Sequence, residues 1–330
     1  MITDLPTFSD IENANTRLAG AIHTTPVLHS RTFDSQTHTR SFFKAENLQR
    51  IGAFKIRGAL NKIRSLTDGE KARGVVTFSS GNHAQATALA ARLENIPCIV
   101  VMPENARESK RKATEGYGAR VMTAGTTSDE RLNRAMELHN EHGYTIIPPY
   151  DDPYVIAGQG TCGLEIIDQI PDVDVVLIPV GGGGLISGCA LAIKSLKPSV
   201  KVIGVETDGA DDAYQSFRQK KLIRYETTST IADGIRSLSV GDRNFAMIMQ
   251  YVDDMLTVPD AEVVEMMRFF FERMKIVAEP TGAVASAAAR VHRQRFQDQK
   301  VCAIISGGNI GSKDFFGILQ NHGHDTAPVQ

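Results

Sequence analysis

The chain has 330 residues, 42% hydrophobic and 22% charged, with 28 glycines and 13 prolines, a composition that excludes disordered, collagen-like and disulfide-scaffold classes. Its 36 Lys+Arg against 38 Asp+Glu give a formal net charge of -2, so there is no basic footprint for nucleic acid or an acidic membrane. The length predicts two lobes with a cleft. Cys98, Cys162, Cys189 and Cys302 form no C-x-x-C pair and no zinc pattern, which predicts free buried thiols in a reducing compartment. The segment Met1–Pro6 has no basic n-region, and no apolar run approaches the ~20 residues of a membrane span; both point to a cytoplasmic protein.

In chain order, Ser9-Asp10-Ile11-Glu12 has the capping-box form and predicts a helix starting at Ser9 with Leu18 and Ile22 on its apolar face. Short apolar segments follow at Pro26–Leu28 and Ser41–Lys44. From Gly74 strands and helices alternate: Val75–Phe78 then His83–Leu93, Cys98–Met102 then Arg107–Gly118, Val121–Thr123 then Ser128–His142, and a strand at Thr145–Ile147. After Pro149 come a helix at Pro153–Gln169, a strand at Val175–Val180, a helix opened by Gly181–Gly184 and running to Leu196, and strands at Val202–Glu206, Met255–Val258 and Val301–Ile305. This rhythm predicts βαβ units, hence an α/β fold of two lobes, each a twisted, mostly parallel sheet flanked by helices. The smaller lobe is placed at about 71–150 and the larger at 1–70 plus 151–330; the polar tail from Asn321 is expected to fray.

Four consecutive glycines between a strand and a helix remove every Cβ where backbone N–H groups point outward, which suits a phosphate, although tight strand-to-helix packing also selects small residues. A nicotinamide dinucleotide is a rival ligand, because Glu206 ends the next strand where a ribose-binding carboxylate would lie. Against it, G-x-G-x-x-G is not satisfied: the third glycine position falls on Ile186 or Ser187. Ser79-Ser80-Gly81-Asn82-His83 and Ser306-Gly307-Gly308-Asn309 are further polar turns after apolar strands, either simple capped loops or parts of one crevice at the strands' carboxyl ends. Lys55, flanked by apolar residues, is either a snorkelling helix lysine or a desolvated reactive amine.

Together, Gly52-Ala53-Phe54-Lys55-Ile56-Arg57-Gly58-Ala59, Ser79–His83, Gly181-Gly182-Gly183-Gly184-Leu185 and Ser306–Asn309 resemble the pyridoxal-phosphate enzymes of the tryptophan-synthase-β fold type (fold type II), in the serine racemase and serine/threonine dehydratase branch that includes hydroxyaspartate dehydratases. The resemblance spans about Ile22 to Gly311. It implies that Lys55 forms the Schiff base with pyridoxal 5'-phosphate, Phe54 packs beside it, Asn82 bonds the 3-hydroxyl oxygen, Gly181, Gly182, Gly183, Gly184 and Leu185 cradle the phosphate, and Ser306 faces the ring nitrogen. Ser79, Ser80, Gly81, Asn82 and His83 would bind substrate. The implied reaction is dehydration of serine, threonine or 3-hydroxyaspartate to a 2-oxo acid and ammonia, with Lys55 as base; racemisation is the alternative, and a dehydrogenase or a non-catalytic cofactor carrier is more remote. Ser80 matches the opposite-face acid/base of the racemases, or is a hydroxyl that binds the substrate carboxylate.

The same resemblance matches Glu206, Ala210 and Asp212 to a divalent-cation site (Mg, Ca or Mn), the other reading being a solvated acidic loop. Arg131 matches an arginine that contacts dicarboxylate ligands, or is an exposed helix arginine. A homodimer acting on a small amino acid is expected, and the absence of room for a regulatory domain after Val301 argues against feedback control.

Overall fold

The computed structural model describes residues 4–79, 81–106 and 108–321, without the side chain of Ser109. The chain runs through α1 (Phe8–Leu18), β1 (Val27–His29), α2 (Arg31–Thr37), β2 (Arg40–Ala45), α3 (Ile56–Arg64) and α4 (Asp68–Arg73). Next come β3 (Val75–Phe78), α5 (Asn82–Leu93), β4 (Cys98–Met102), α6 (Glu108–Gly116), β5 (Arg120–Thr123), α7 (Ser128–His142) and β6 (Thr145–Ile146). The rest is α8 (Pro153–Gln169), β7 (Val175–Pro179), α9 (Gly184–Leu196), β8 (Lys201–Thr207), α10 (Asp212–Gln219), α11 (Asp242–Tyr251), β9 (Asp254–Val258), α12 (Asp260–Phe269), α13 (Pro280–Val291), β10 (Lys300–Ile305) and α14 (Ser312–Asn321).

The strands make two sheets. One has the order β5-β4-β3-β6 with every pair parallel; the other has the order β1-β2-β10-β7-β8-β9, parallel except for β1 against β2. Strands covered on both faces read as continuous apolar runs, and the two-residue period divides each run between two cores. Val175 and Leu177 of β7 with Val301, Ala303 and Ile305 of β10 enter one cluster, under α12 and α13; Val176, Ile178, Cys302 and Ile304 enter the opposite one, with Ile186, Cys189 and Ile193 of α9. In the smaller sheet Val75, Val100 and Met102 face α3 and α5, while Val76, Ile99 and Val101 face Ala135 and Leu138 of α7. All four cysteines are buried and free. Among the described residues no helix is long and apolar enough to cross a membrane.

The expected N-terminal capping box is displaced. Thr7, not Ser9, caps α1: its side chain accepts from the Asp10 N–H, and the Asp10 carboxylate accepts from the Thr7 N–H at 2.8 Å. Thr7 and Asp10 satisfy the same three-residue reciprocity as Ser9 and Glu12, and the helix starts at the earlier pair. Ile22 then lies beyond the Ala19 C-cap, yet still packs against the core that holds Leu18.

Within each sheet the parallel strands present their carboxyl ends on the same side, β1 excepted. Ser79, Gly81 and Asn82 follow β3, the glycine loop follows β7, Glu206 closes β8, and Ser306 follows β10. Lys55 comes from the connection between β2 and α3.

Candidate active site

Lys55 is held from both sides. The segment before it is stitched to the turn after β10: Phe54 N–H donates to Ser306 O at 3.1 Å, Gly308 N–H to Gly52 O at 2.9 Å, and Asn309 Nδ2 to Ile51 O at 2.6 Å. Ala53 and Gly307 form a single bridge between those hydrogen bonds. The connection is tight: Ile51 has a φ of 61°, a strained value for a β-branched residue, and the Gly52 φ is 71° with Asn309 Oδ1 only 2.6 Å from where a Cβ would stand. After Lys55, α3 begins with no side-chain cap. Arg57, two residues on, donates from Nε to Glu46 at 2.8 Å and from Nη1 to Glu165 at 2.6 Å, fixing the start of the helix.

Among the described residues the Lys55 ammonium meets no carboxylate. Its Nζ donates to Pro149 O at 2.8 Å and lies 5.1 Å from the centroid of the Phe54 ring, and burial pushes its pKa down to about 8. The snorkelling reading of Lys55 is thereby corrected: the amine is turned onto the Pro149 carbonyl and buried, not carried out to solvent. Burial, with the Lys55 charge adding to it, also pushes His83 down to about 3. His83 is therefore neutral, with Nε2 3.0 Å from Ile147 O and Nδ1 without a partner among the described residues.

A hydrogen-bonded chain of amides lies alongside. Asn82 Nδ2 donates to Glu279 Oε1 at 2.6 Å, and Asn82 Oδ1 accepts from Asn309 Nδ2 at 2.8 Å. Burial, reinforced by Asp233, raises the Glu279 carboxyl to about 8. Ser306 is buried, its hydroxyl 3.4 Å from Thr281 O, and uncharged.

The glycine loop faces the same crevice. A Cβ on Gly182 would stand 2.1 Å from the Tyr150 ring and one on Gly183 2.7 Å from Asn244 Cβ, so the loop is sandwiched between these side chains. Gly183 also has a φ of 92°, which leaves the backbone turned so that α9 starts at Gly184. The N–H groups of Gly182, Gly183, Gly184 and Leu185 donate to no protein acceptor among the described residues. These donors and the positive end of α9 have the chemistry that suits an anion.

Among the other candidates, Ser79 Oγ accepts from Gly81 N–H at 3.2 Å, and Gly81 is the N-cap of α5. Ser80 lies outside the described residues. Arg131 is on α7, with Nη1 3.3 Å from Thr126 O, Nη2 2.9 Å from Ser128 Oγ, and Nε buried without a partner among the described residues. No hydrogen bond or ion pair ties it to the groups round Lys55 among those residues.

Glu206 is fully buried and turned onto its own following helix, accepting from Tyr214 N–H at 2.7 Å and Ala213 N–H at 3.2 Å. That placement removes the dinucleotide reading, since the carboxylate is not presented to the crevice. Burial and the neighbouring Asp212 raise Glu206 well above the usual carboxylate range, and burial raises Asp212 to about 7. Neither Asp212 oxygen makes a hydrogen bond of standard geometry among the described residues, its own N–H and that of Val240 only tempering the shift. No three His, Cys, Asp or Glu side chains cluster as a metal site among the described residues.

Sequence reasoning assigned no role to Glu279, Tyr150, Asn244, Thr281 or Pro149. Their partners lie far along the chain, 197 residues in the case of Asn82 and Glu279. The available signal was Glu279-Pro280 at the mouth of a helix, which reads as an ordinary helix start.

The sequence of Saccharomyces cerevisiae L-threo-3-hydroxyaspartate ammonia-lyase is 44% identical over 311 residues, covering 94% of this chain and 95% of that protein. Schizosaccharomyces pombe serine racemase is 44% identical over 306 residues, covering 93% of this chain and 95% of its own length. The structure of maize serine racemase superposes with a TM-score of 0.92 at 38% identity, over 97% of this chain and 98% of the maize chain. The profile of the family described as pyridoxal-phosphate dependent enzyme matches residues 18–307, and the protein belongs to that family of enzymes.

Proposed function

We propose that the protein is a pyridoxal-phosphate-dependent ammonia-lyase that converts a small β-hydroxy amino acid, serine, threonine or 3-hydroxyaspartate, into a 2-oxo acid and ammonia. The observation that carries this reading is the Lys55 amine, bonded to Pro149 O and depressed to about 8 with no carboxylate partner among the described residues, while the next residue, Tyr150, packs on a glycine loop whose N–H donors find no protein acceptor among them. The residues present fit the cofactor. Gly181, Gly182, Gly183, Gly184 and Leu185 would hold its phosphate, Asn82 its 3-hydroxyl oxygen, Ser306 would face its ring nitrogen, and Lys55 would be its covalent attachment.

When bound, the cofactor supplies the electron sink that lets an α-C–H bond break and a β-hydroxyl leave. Lys55 Nζ serves as base, because an amine near 8 is partly neutral at physiological pH and can take the α-proton. The Glu279–Asn82–Asn309 chain fixes which way the Asn82 amide points, and the serine at 306 offers a hydroxyl rather than a carboxylate, so it would not hold a ring charge. A racemase reading is supported by the likeness to the two serine racemases. Release of 2-oxo acid and formation of the opposite enantiomer, assayed side by side on serine, threonine and 3-hydroxyaspartate, separates the two; turnover of none of them by either route contradicts the proposal.

The smaller lobe would be 71–150 and the larger 1–70 with 151–330, supported by one sheet being drawn wholly from 75–146. A divalent cation (Mg, Ca or Mn) would be held by Glu206, the Ala210 carbonyl and Asp212. The buried Asp212 carboxylate without a proper donor supports this, and chelation should then lower the thermal midpoint, with Mg²⁺ or Ca²⁺ restoring it. A homodimer is supported by the exposed apolar face of Leu48, Phe271, Val277 and Phe316, to be read by light scattering. The free thiols support a cytoplasmic setting.

A further inference from the structure

Beyond the glycine loop lies the first turn of α11, docked against both the loop and the first turn of α9. Gly241 N–H donates to Gly182 O at 3.1 Å, and Ser187 Oγ donates to Asn244 O at 3.4 Å. The N–H groups that open α11 are taken up by protein, Asp242 and Arg243 donating to the Asp151 carboxylate at 3.1 and 3.3 Å. Of the two helix starts at the loop, α11 is thus capped while α9 keeps its donors.

Asn244 reaches from α11 onto that open end. Gly183 is the N-cap of α9, the position whose side chain ordinarily covers the first N–H groups of a helix. A Cβ on Gly183 would stand 2.7 Å from Asn244 Cβ and 3.3 Å from its Cγ, so the Asn244 side chain fills the space of the missing cap. On the other side a Cβ on Gly241 would stand 2.7 Å from Asn244 Nδ2, which leaves the amide clamped between two glycines.

This amide is fully buried, and neither Nδ2 nor Oδ1 has a partner among the described residues. Asn61, equally buried, pairs both ends: it donates to Tyr154 O at 2.7 Å and accepts from Arg17 Nη1 at 3.2 Å. An unpaired buried amide is costly, and a residue selected only to cap α9 would be bonded to its N–H groups. Asn244 instead adds an unpaired donor to the unpaired donors of the loop, and donors gathered without an acceptor are the complement of an anion.

We propose that Asn244 is a further ligand of the cofactor phosphate, supplying a side-chain N–H from Nδ2 beside the backbone donors of the glycine loop, with ordered water at Oδ1. The proposal rests on the functional reading above, which puts that phosphate at the loop.

The test compares pyridoxal 5'-phosphate with pyridoxal, which has the same aldehyde and ring but no phosphate, each titrated into the cofactor-free protein and read by Schiff-base absorbance. Asn244→Leu keeps the volume and removes both amide ends; it should weaken pyridoxal 5'-phosphate about ten- to a hundredfold and leave pyridoxal within about twofold. The cofactor-free Asn244→Leu protein should melt no lower than the parent, because an apolar group in place of an unpaired amide removes a desolvation cost. Asn244→Asp keeps the shape and exchanges the donor for a carboxylate; at about pH 8 it should weaken pyridoxal 5'-phosphate more than Asn244→Leu does, again sparing pyridoxal. Equal loss of both compounds, no loss in either variant, or a lower melting midpoint of Asn244→Leu with unchanged affinity would overturn the assignment. Failure of the parent itself to take up pyridoxal 5'-phosphate would overturn the functional reading and the role of Asn244 together, an outcome told apart by being seen without any substitution.

Discussion

Two lysines a short stretch of chain apart, Lys44 and Lys55, show how partners divide structure from chemistry. Lys44 is fully buried on β2 and saturated: its Nζ donates to Thr25 O at 2.7 Å, Glu165 Oε2 at 2.5 Å and Gln169 Oε1 at 2.8 Å. It shares Glu165 with Arg57, whose guanidinium spends every donor group on Glu46, Glu165 and Thr161. Burial alone would raise the Glu46 carboxyl, but the Arg57 charge holds it below the usual range. Lys55 has a carbonyl, an aromatic face and no carboxylate, and burial depresses it. A buried cation with all its partners holds helices to strands; one without them is available to a ligand.

The sharpest break between the two regions is Arg57→Met. It leaves Glu46 buried with only the Thr25 hydroxyl donating to it, so stability should fall by about 3–5 kcal/mol, read as a lower denaturation midpoint, while Lys55→Ala should leave that midpoint nearly unchanged. Arg131 extends the contrast, because its Nε is buried and unspent where Arg57 has none to spare. If that arginine receives a second carboxylate, 3-hydroxyaspartate should be preferred to serine by roughly ten- to a hundredfold in kcat/KM, and Arg131→Ala should erase the preference. An unchanged ratio in the variant would remove Arg131 from substrate recognition.

Gly182→Ala probes the other wall of the Lys55 pocket. Its new Cβ would press into the Tyr150 ring, and cofactor affinity, measured by fluorescence titration of the cofactor-free protein, should weaken about tenfold. The mildest perturbation is pH. Only the neutral amine can capture the cofactor, so the uptake rate should fall about tenfold per unit below pH 8 and level off above it, instead of rising toward the ordinary lysine value.

The alternation from β3 to β6 and from α8 to α9 was legible because both-face burial writes continuous apolar runs and glycine or a polar cap punctuates them. Helices Ser128–His142 and Pro153–Gln169 fall on their predicted ends, each opened by a strong N-cap, Thr127 and Asp152. Lys55 was legible only through the resemblance, since apolar neighbours in sequence do not reveal that the amine reaches the Pro149 carbonyl, 94 residues on. Asn309 was visible in its motif but its contact with Asn82 crosses 227 residues, and Glu279 gave no local sign of a depressed charge. Long-range pairing decides such residues, and periodicity carries no record of it.

The central claim is that Lys55, and not its saturated neighbour Lys44, is the amine that receives the cofactor. Borohydride reduction of the protein loaded with pyridoxal 5'-phosphate, followed by peptide mapping, tests it directly. A single phosphopyridoxyl label on Lys55 is the expected result; a label on Lys44 or another lysine, or none on Lys55, would contradict it.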